Sequence, residues 1–98
     1  MKGGYVYIMA NKTRTVLYVG VTSNLSARVQ EHENGTGSKF TSTYNCHDLI
    51  YYKFFPLIAE AIEEEKKIKN WPRKWKEELI SSFNNKLRKL NEEVNNHT

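Results

Sequence analysis

Three stretches rich in β-branched and aromatic residues are predicted as strands. They cover residues 5–9, 15–21 and 48–55, and their composition is typical of a pleated, partly buried surface. The polar segment 11–14 separates the first two, which are therefore predicted to form an antiparallel hairpin.

The hairpin has a predicted register. A four-residue turn pairs Ala10 with Thr15 and Tyr7 with Tyr18. Paired residues lie on the same face of a sheet, so two phenol side chains are expected side by side. A slip of one residue would put them on opposite faces, and the prediction therefore depends on the register.

The apolar spacing in the rest of the chain predicts three main helices. They cover residues 25–33, 57–70 and 73–82, and a single helical turn is expected near 39–44. Together with the strands, these elements predict an α/β fold. It has a small, three-stranded, mainly antiparallel sheet flanked by helices.

Two of these helices have polar residues on the face predicted to turn inward. Arg28 and His32 lie on the same third of the first helix as two apolar residues, Leu25 and Val29. On the second helix, Glu65 lies on a stripe of four apolar residues, Ile58, Ala61, Ile62 and Ile68. A buried carboxylate is costly without a partner, so Glu65 is expected to bind Lys69 at i+4 or a cation.

The charge of the chain favours an anionic partner. The 98 residues, enough for one small domain, include 15 Lys+Arg and 11 Asp+Glu, a formal net charge of +4. Seven basic and four acidic residues fall within 53–76, the segment that contains Glu65. This distribution fits a phosphate-facing surface better than a basic tail would.

The composition excludes several classes of protein. Cys46 is the single cysteine, which excludes an internal disulfide framework and, with only three histidines, argues against a structural zinc site. No apolar run approaches the length of a membrane span, and the start of the chain lacks the apolar region of a signal peptide. We therefore expect no membrane partner and a cytoplasmic location.

The composition becomes rich in Asn and charge near the C-terminus. Residues 1–82 are predicted as the domain, and residues 83–98 as a polar tail that is amphipathic or frayed. Its apolar positions are Leu87, Leu90 and Val94. One alternative function is a protein–protein adaptor in which these three residues dock a partner.

The residues with candidate chemistry match a known pattern. Tyr5-Val6-Tyr7 is followed after ten residues by Tyr18-Val19-Gly20, then by Arg28 and later by Glu65. This pattern resembles the GIY-YIG nuclease domain, the fold of the N-terminal catalytic domain of the excinuclease C protein and of several homing and restriction endonucleases. The chain is most similar to the small, stand-alone, excinuclease-C-like branch, over about residues 4–80.

Two positions depart from the family pattern. Tyr5 stands where the family name implies glycine, and Val21 stands where the excinuclease branch has a lysine that assists the catalytic tyrosine. The second departure weakens a transfer of the excinuclease mechanism in detail.

The resemblance implies a metal-dependent endonuclease-type domain that hydrolyses phosphodiester bonds in DNA, in DNA repair or recombination. It implies five catalytic residues: Tyr7, Tyr18, Arg28, His32 and Glu65. Glu65 would hold a divalent metal, Mg²⁺ or Mn²⁺, and Arg28 would contact the scissile phosphate. Tyr18 would orient or deprotonate the attacking water with the help of Tyr7, and His32 would hold a tyrosine or relay a proton.

The expected partner is DNA, with RNA left open. Arg28, Lys39, Lys66 and Lys69 are predicted to contact the nucleic acid, and Thr41 to contact substrate. A chain of this length has no room for the module that selects the sequence in larger family members, so cleavage is expected to be structure-selective or weakly specific, or directed by a targeting protein. The alternative is a non-catalytic nucleic-acid-binding module of the same fold.

Overall fold

The computed structural model describes residues 3–95. The strands β1 (Gly4–Ala10), β2 (Leu17–Thr22) and β3 (Asp48–Phe55) form one antiparallel sheet in the order β2-β1-β3. β1 is therefore central, and β2 and β3 are its edges. The predicted three-stranded α/β fold is confirmed.

The described part of the chain contains five helices. They are α1 (Leu25–Glu33), α2 (Lys39–Thr43), α3 (Ile58–Lys69), α4 (Arg73–Phe83) and α5 (Asn91–Asn95). The three main helices and the short turn lie where the sequence predicts them. No helix within the described residues is long and apolar enough to cross a membrane.

The β1–β2 hairpin forms, but its predicted register is wrong by two residues. Tyr7 pairs with Gly20, and Tyr18 pairs with Met9. Because side chains alternate with a period of two, a shift of two residues keeps each side chain on its face. The two tyrosines therefore still share a face, and their ring centroids are 6.4 Å apart.

The loop of the hairpin explains the shift. Ala10, predicted to pair with Thr15, pairs with Leu17. The Oδ1 atom of Asn11 accepts hydrogen bonds from the backbone N–H of Thr15 at 2.9 Å and of Val16 at 3.0 Å. A side chain that binds backbone groups in this way competes with the strand ladder, so both residues belong to the loop.

The central strand is buried on both faces. Val6, Ile8 and Ala10 face a core that includes residues of α3 and α4, whereas Tyr7 and Met9 face one that includes residues of α1 and α5. This division follows from the two-residue period of a strand. Tyr7 is thus a core residue with a polar hydroxyl that needs a partner.

The C-terminal segment packs against the sheet on the α1 side. The exposed fraction is 4% for Leu90 and 7% for Val94, and Asn91 Oδ1 accepts a hydrogen bond from the backbone N–H of Leu49 at 2.7 Å. The described part of this segment is therefore amphipathic and packed, not frayed.

The adaptor hypothesis is wrong for Leu90 and Val94, because both side chains are buried against the rest of this chain and cannot dock a partner. The predicted division at residue 82 stays a prediction, and residues 96–98 lie outside the described part.

Candidate active site

A chain of buried polar groups runs through the α1 side of the sheet. The Tyr7 hydroxyl lies 2.9 Å from His32 Nε2, and His32 Nδ1 lies 2.9 Å from Thr41 Oγ1. All three residues are fully buried. We call Tyr7, His32 and Thr41 the buried relay, because their hydrogen bonds join β1, α1 and α2.

The donors in the buried relay follow one direction. Arg28 lies close enough for its positive charge to act on the pKa of both Tyr7 and His32. The Thr41 oxygen is free to accept when its own proton is donated, and a neutral imidazole carries one N–H. We therefore assign the His32 Nδ1–H as a donor to Thr41, and the Tyr7 O–H as a donor to His32 Nε2. The Thr41 hydroxyl in turn donates to the backbone carbonyl of Ser38 at 3.3 Å.

Burial keeps the first two members of the relay neutral. It raises the pKa of Tyr7 to about 12, and Arg28 only partly offsets this. Burial, followed by the positive charge of Arg28, lowers the pKa of His32 to about 4. Near neutral pH the relay therefore contains a neutral phenol and a neutral imidazole. Tyr7 is a poor base in this state, and its hydroxyl holds neighbouring groups in place.

Two glycines make room for the relay. A Cβ atom on Gly20 would lie 2.4 Å from Tyr7 Cζ, and one on Gly37 would lie 2.1 Å from His32 Nδ1. Both distances are far below van der Waals contact, so only glycine lets the backbone approach these rings. The contact with the Tyr7 ring therefore explains why glycine is needed at position 20, the glycine of the second tyrosine motif, independently of any family pattern.

Tyr18 lies beside the buried relay but reaches the surface. Its ring centroid is 5.5 Å from that of His32 and 6.4 Å from that of Tyr7. The residue is half-buried. Of the two predicted catalytic tyrosines, Tyr18 is thus the one that water and substrate can reach.

Arg28 is half-exposed at the surface end of the relay. Its Nη1 atom lies 3.0 Å from Glu31 Oε1, and the side chains are 37% and 49% exposed. Glu31 and then the Tyr7 hydroxyl raise the pKa of the guanidinium. An ion pair this exposed contributes little to stability, so an incoming phosphate can replace Glu31.

Glu65 lies on α3, on the other face of the sheet, and its ion-pair partner Lys69 reaches the Tyr18 ring. It is 9% exposed, and its Oε2 atom lies 2.8 Å from Lys69 Nζ. The same ammonium lies 6.0 Å from the centre of the Tyr18 ring. The predicted i,i+4 ion pair is therefore confirmed. The cation of Lys69 links the carboxylate of α3 to the phenol of β2.

The donor set near Glu65 fits a hard divalent cation with few protein ligands. Within residues 3–95, no group of three or more His, Cys, Asp and Glu side chains is placed to hold a metal. Mg²⁺ commonly binds through one or two carboxylates, with waters and substrate phosphates as its other ligands. A nearly buried carboxylate that already neutralises one cation matches that requirement.

The remaining predicted contacts fall into two groups. Lys39 and Lys66 are exposed on α2 and α3, where a phosphate backbone can reach them. Thr41 is fully buried, so the prediction that it contacts substrate is wrong. A cleft of about 360 Å³ lined by residues that include Tyr5 and Val94 contains none of the predicted site residues.

Sequence reasoning missed the support for His32. Gly37 gives the imidazole space, and Ser38 begins α2 by accepting a hydrogen bond from the Thr41 N–H at 3.1 Å. Serine is a preferred N-cap residue, and this signal is present in the sequence. Nothing in the sequence connects that cap to His32, because the contact depends on how the loop after α1 folds back.

Comparisons with known proteins identify the family of this chain. The family model of the GIY-YIG catalytic domain matches residues 3–78. A UPF0213 protein of Clostridium perfringens is 40% identical over 93% of this chain and 97% of its own length, and one of Oceanobacillus iheyensis is 42% identical over 78% and 87%.

A solved structure supports the same assignment. The solution NMR structure of a UPF0213 protein from Bacillus halodurans is 33% identical, covers 81% of this chain and 83% of its own, and gives a TM-score of 0.52. The family is one of nuclease domains that generally use divalent metal ions, which supports an endonuclease-type function. The chain belongs to the GIY-YIG catalytic domain family, and within it to the UPF0213 group.

Proposed function

We propose that this domain is a metal-dependent endonuclease that hydrolyses phosphodiester bonds in DNA. One observation carries the proposal: the Tyr18 ring lies against His32 of the buried relay, and Lys69 connects the same ring to Glu65. Arg28 lies near this relay, since its charge acts on the pKa of Tyr7 and His32. Phosphodiester hydrolysis needs positive charge at the phosphoryl oxygens and an oriented water. These side chains supply both kinds of group.

Arg28 binds the scissile phosphate in this proposal. Its guanidinium is half-exposed, and its ion pair with Glu31 lies at the surface. The contact with Glu31 uses one nitrogen of the guanidinium, Nη1, which leaves other N–H groups for a phosphate oxygen. Charge-assisted bonds from a planar guanidinium suit the charge that develops on these oxygens.

Tyr18 orients the attacking water, and the buried relay keeps the site in place. Tyr18 is the accessible phenol, whereas Tyr7 remains protonated because its pKa is about 12. Tyr7 and His32 therefore act as positioning groups for Arg28 and for the Tyr18 ring. Tyr18 is assigned the orienting role because it is half-buried and water can reach it, which the fully buried Tyr7 does not allow.

Glu65 would hold the divalent cation, Mg²⁺ or Mn²⁺. When bound there, the ion supplies positive charge and lowers the pKa of nearby water. Lys69 gives up its contact with the carboxylate in that state and is free to bind a phosphate, together with Lys39 and Lys66. Contacts of this kind position the backbone and do not read the bases.

The specificity follows from these contacts. Because the proposed interactions are with phosphates, we infer that cleavage is structure-selective or weakly specific in sequence. A separate targeting protein would then direct it. Such cutting serves DNA repair or recombination, and the same contacts would accept RNA.

The test is cleavage of branched, single-stranded and duplex DNA with Mg²⁺ or Mn²⁺. We expect metal-dependent cleavage by the wild type and a loss of about a hundredfold or more in Arg28→Ala and Glu65→Gln. Arg88→Ala and Glu92→Gln, at exposed positions on the C-terminal segment, are matched controls that should keep wild-type activity.

Two outcomes would contradict the proposal. Equal cleavage by the wild type and both site variants would identify a contaminating nuclease. Salt-dependent DNA binding without metal-dependent cleavage would instead favour the non-catalytic binding module.

A further inference from the structure

A line of aromatic rings leads from the candidate active site to the surface. The ring centroid of Phe40 lies 5.8 Å from that of Tyr18 and 4.8 Å from that of Tyr44. Phe40 is 41% exposed and Tyr44 is 50% exposed. The exposed face of α2 and its C-cap therefore continues the site outward as an aromatic surface, which we call the α2 platform (Phe40 and Tyr44).

Packing alone does not account for the α2 platform. Close to half of each aromatic surface remains in water, so each ring gains only about half of the hydrophobic stabilisation that full burial would give. A contact between residues four apart on a helix adds only weakly to stability. Smaller or polar residues would serve an exposed turn of helix equally well.

The same helix turn is fixed firmly to the buried relay. Ser38 caps α2 through its side chain, and Thr41 points inward to His32 at 2.9 Å. α2 therefore presents one buried residue to the relay and two rings to the solvent. The rings have a defined position relative to Tyr18.

The charges beside the platform match a nucleic-acid strand. Lys39 is exposed on α2, and Lys69 Nζ lies 6.0 Å from the centre of the Tyr18 ring. Aromatic rings that alternate with cations are the two elements that bind single strands: the cations follow the backbone, and the rings stack on successive bases.

We propose that the α2 platform stacks the unpaired bases that flank the scissile phosphate, so that the site takes single-stranded or branch-point DNA in preference to continuous duplex. In a duplex the base faces already stack on each other and are not available to protein rings. The preference deepens the proposed function and rests on it for the cleavage step. Binding to the platform needs no catalysis.

The test measures binding without cleavage, by fluorescence anisotropy in EDTA. Three labelled probes of equal length are compared: a single strand, its duplex and a base-free (abasic) strand. For the double variant Phe40→Leu/Tyr44→Leu we expect single-strand affinity to fall about tenfold or more, with a change below about twofold for duplex. The wild type should bind the abasic strand about as weakly as this variant binds the normal strand.

Two variants serve as controls. Phe54 is 53% exposed on β3, the edge strand opposite to the one that carries Tyr18. Its ring contacts another aromatic ring, that of Tyr5, just as the ring of Phe40 contacts that of Tyr44. Phe54→Leu should leave all three affinities unchanged. The conservative double variant Phe40→Tyr/Tyr44→Phe keeps both rings and should restore single-strand binding, whereas a general loss of folding would not be restored in this way.

The outcomes separate this inference from the proposed function. Equal single-strand affinity of the wild type and the leucine variant, or equal affinity for normal and abasic strands, would overturn the platform. If cleavage still required Arg28 and Glu65, the endonuclease proposal would stand without it. Ring-dependent binding by a protein that does not cleave would support the platform and overturn the endonuclease.

Discussion

On the α1 side of the sheet, Tyr7, His32 and Thr41 are fully buried and joined by hydrogen bonds. On the α3 side the core cluster is formed mainly by apolar side chains, and among residues 3–95 the buried carboxylate is that of Glu65, which pairs with Lys69. The first region is polar and fixed, because each buried group depends on its neighbour. The α3 side is mainly apolar, but the partner of its buried carboxylate, Lys69, is half-exposed.

This difference gives the two sides of the sheet different roles: the buried relay positions side chains, and the Glu65 carboxylate can exchange its partner. The relay cannot lose a member without leaving a buried donor or acceptor unpaired, so it is a fixed support against which the Tyr18 ring packs. The ion pair of Glu65 and Lys69 can open to water, so its carboxylate can change partners. A site that binds a cation and a phosphate needs both properties, and the two faces of the sheet supply one each.

The largest effect is expected at Gly37, where the relay has no spare room. Gly37→Ala would place a Cβ atom 2.1 Å from His32 Nδ1, so either the loop or the imidazole must move. We expect a loss of about 3 kcal/mol in the free energy of unfolding, measured by urea denaturation, together with loss of cleavage.

Gly35 in the same loop provides the control. Its φ is +77°, and the nearest atom to an added Cβ is Ser42 Oγ at 4.0 Å. Space is available there, and asparagine tolerates this backbone region, so Gly35→Asn should cost less than about 1 kcal/mol. Equal losses for Gly35→Asn and Gly37→Ala would mean that the contact with His32 is not the cause.

The next effect is a pH dependence of stability from His32. Its pKa is lowered from 6.5 in the unfolded chain to about 4 in the folded one, so between these values the unfolded state binds the extra proton. Stability therefore rises with pH in this window, and we expect a loss of about 2 to 3 kcal/mol as the pH falls from 6.5 to 4. Urea denaturation at a series of pH values measures it.

The matched variant for this measurement is His32→Gln, which keeps a polar side chain but does not titrate. It should be less stable at neutral pH and should lose the part of the slope that His32 contributes, while His47 and the carboxyl groups remain in both proteins. Parallel stability profiles of the two proteins would show that His32 is not held neutral in the fold.

The sequence predicts the elements of this site better than their contacts. The period of apolar residues identifies α1 and α3, and the shared face of Tyr7 and Tyr18 survives a register error of two residues. Thr41 shows where prediction from sequence ends. A threonine near a loop is ordinarily exposed, and its place beside His32 follows from the return of the chain through Gly37. The Glu65–Lys69 pair was predictable because both residues lie on one helix.

A smaller effect is expected at Thr41, which we infer positions His32. Thr41→Val removes the acceptor of the His32 Nδ1–H and leaves that donor buried, at a cost of about 1 kcal/mol. Cleavage should fall about tenfold through kcat with little change in KM, because substrate contacts are untouched. Thr41→Ser keeps the hydroxyl and should restore most of the activity. An equal loss in the serine and valine variants would instead assign Thr41 a packing role.

The smallest effect on stability is expected at Lys69. A variant there tests directly whether the Glu65 carboxylate can exchange its lysine for another cation. Lys69→Gln removes an ion pair whose ammonium side is 49% exposed, so the free energy of unfolding should change by only a few tenths of a kcal/mol. Binding of Mn²⁺ alone, measured by titration calorimetry without nucleic acid, should tighten by up to about fivefold, because the ion no longer competes with an ammonium.

Lys67→Gln is the matched control for this comparison. Lys67 makes a similar ion pair with Glu64 at 3.0 Å on the same helix, so its loss changes the net charge equally but leaves Glu65 paired. Mn²⁺ affinity that rises equally in both variants would indicate a general charge effect. Tighter binding in Lys69→Gln alone, and its disappearance when Glu65→Gln is added, would identify this carboxylate as the group that exchanges its lysine for a metal.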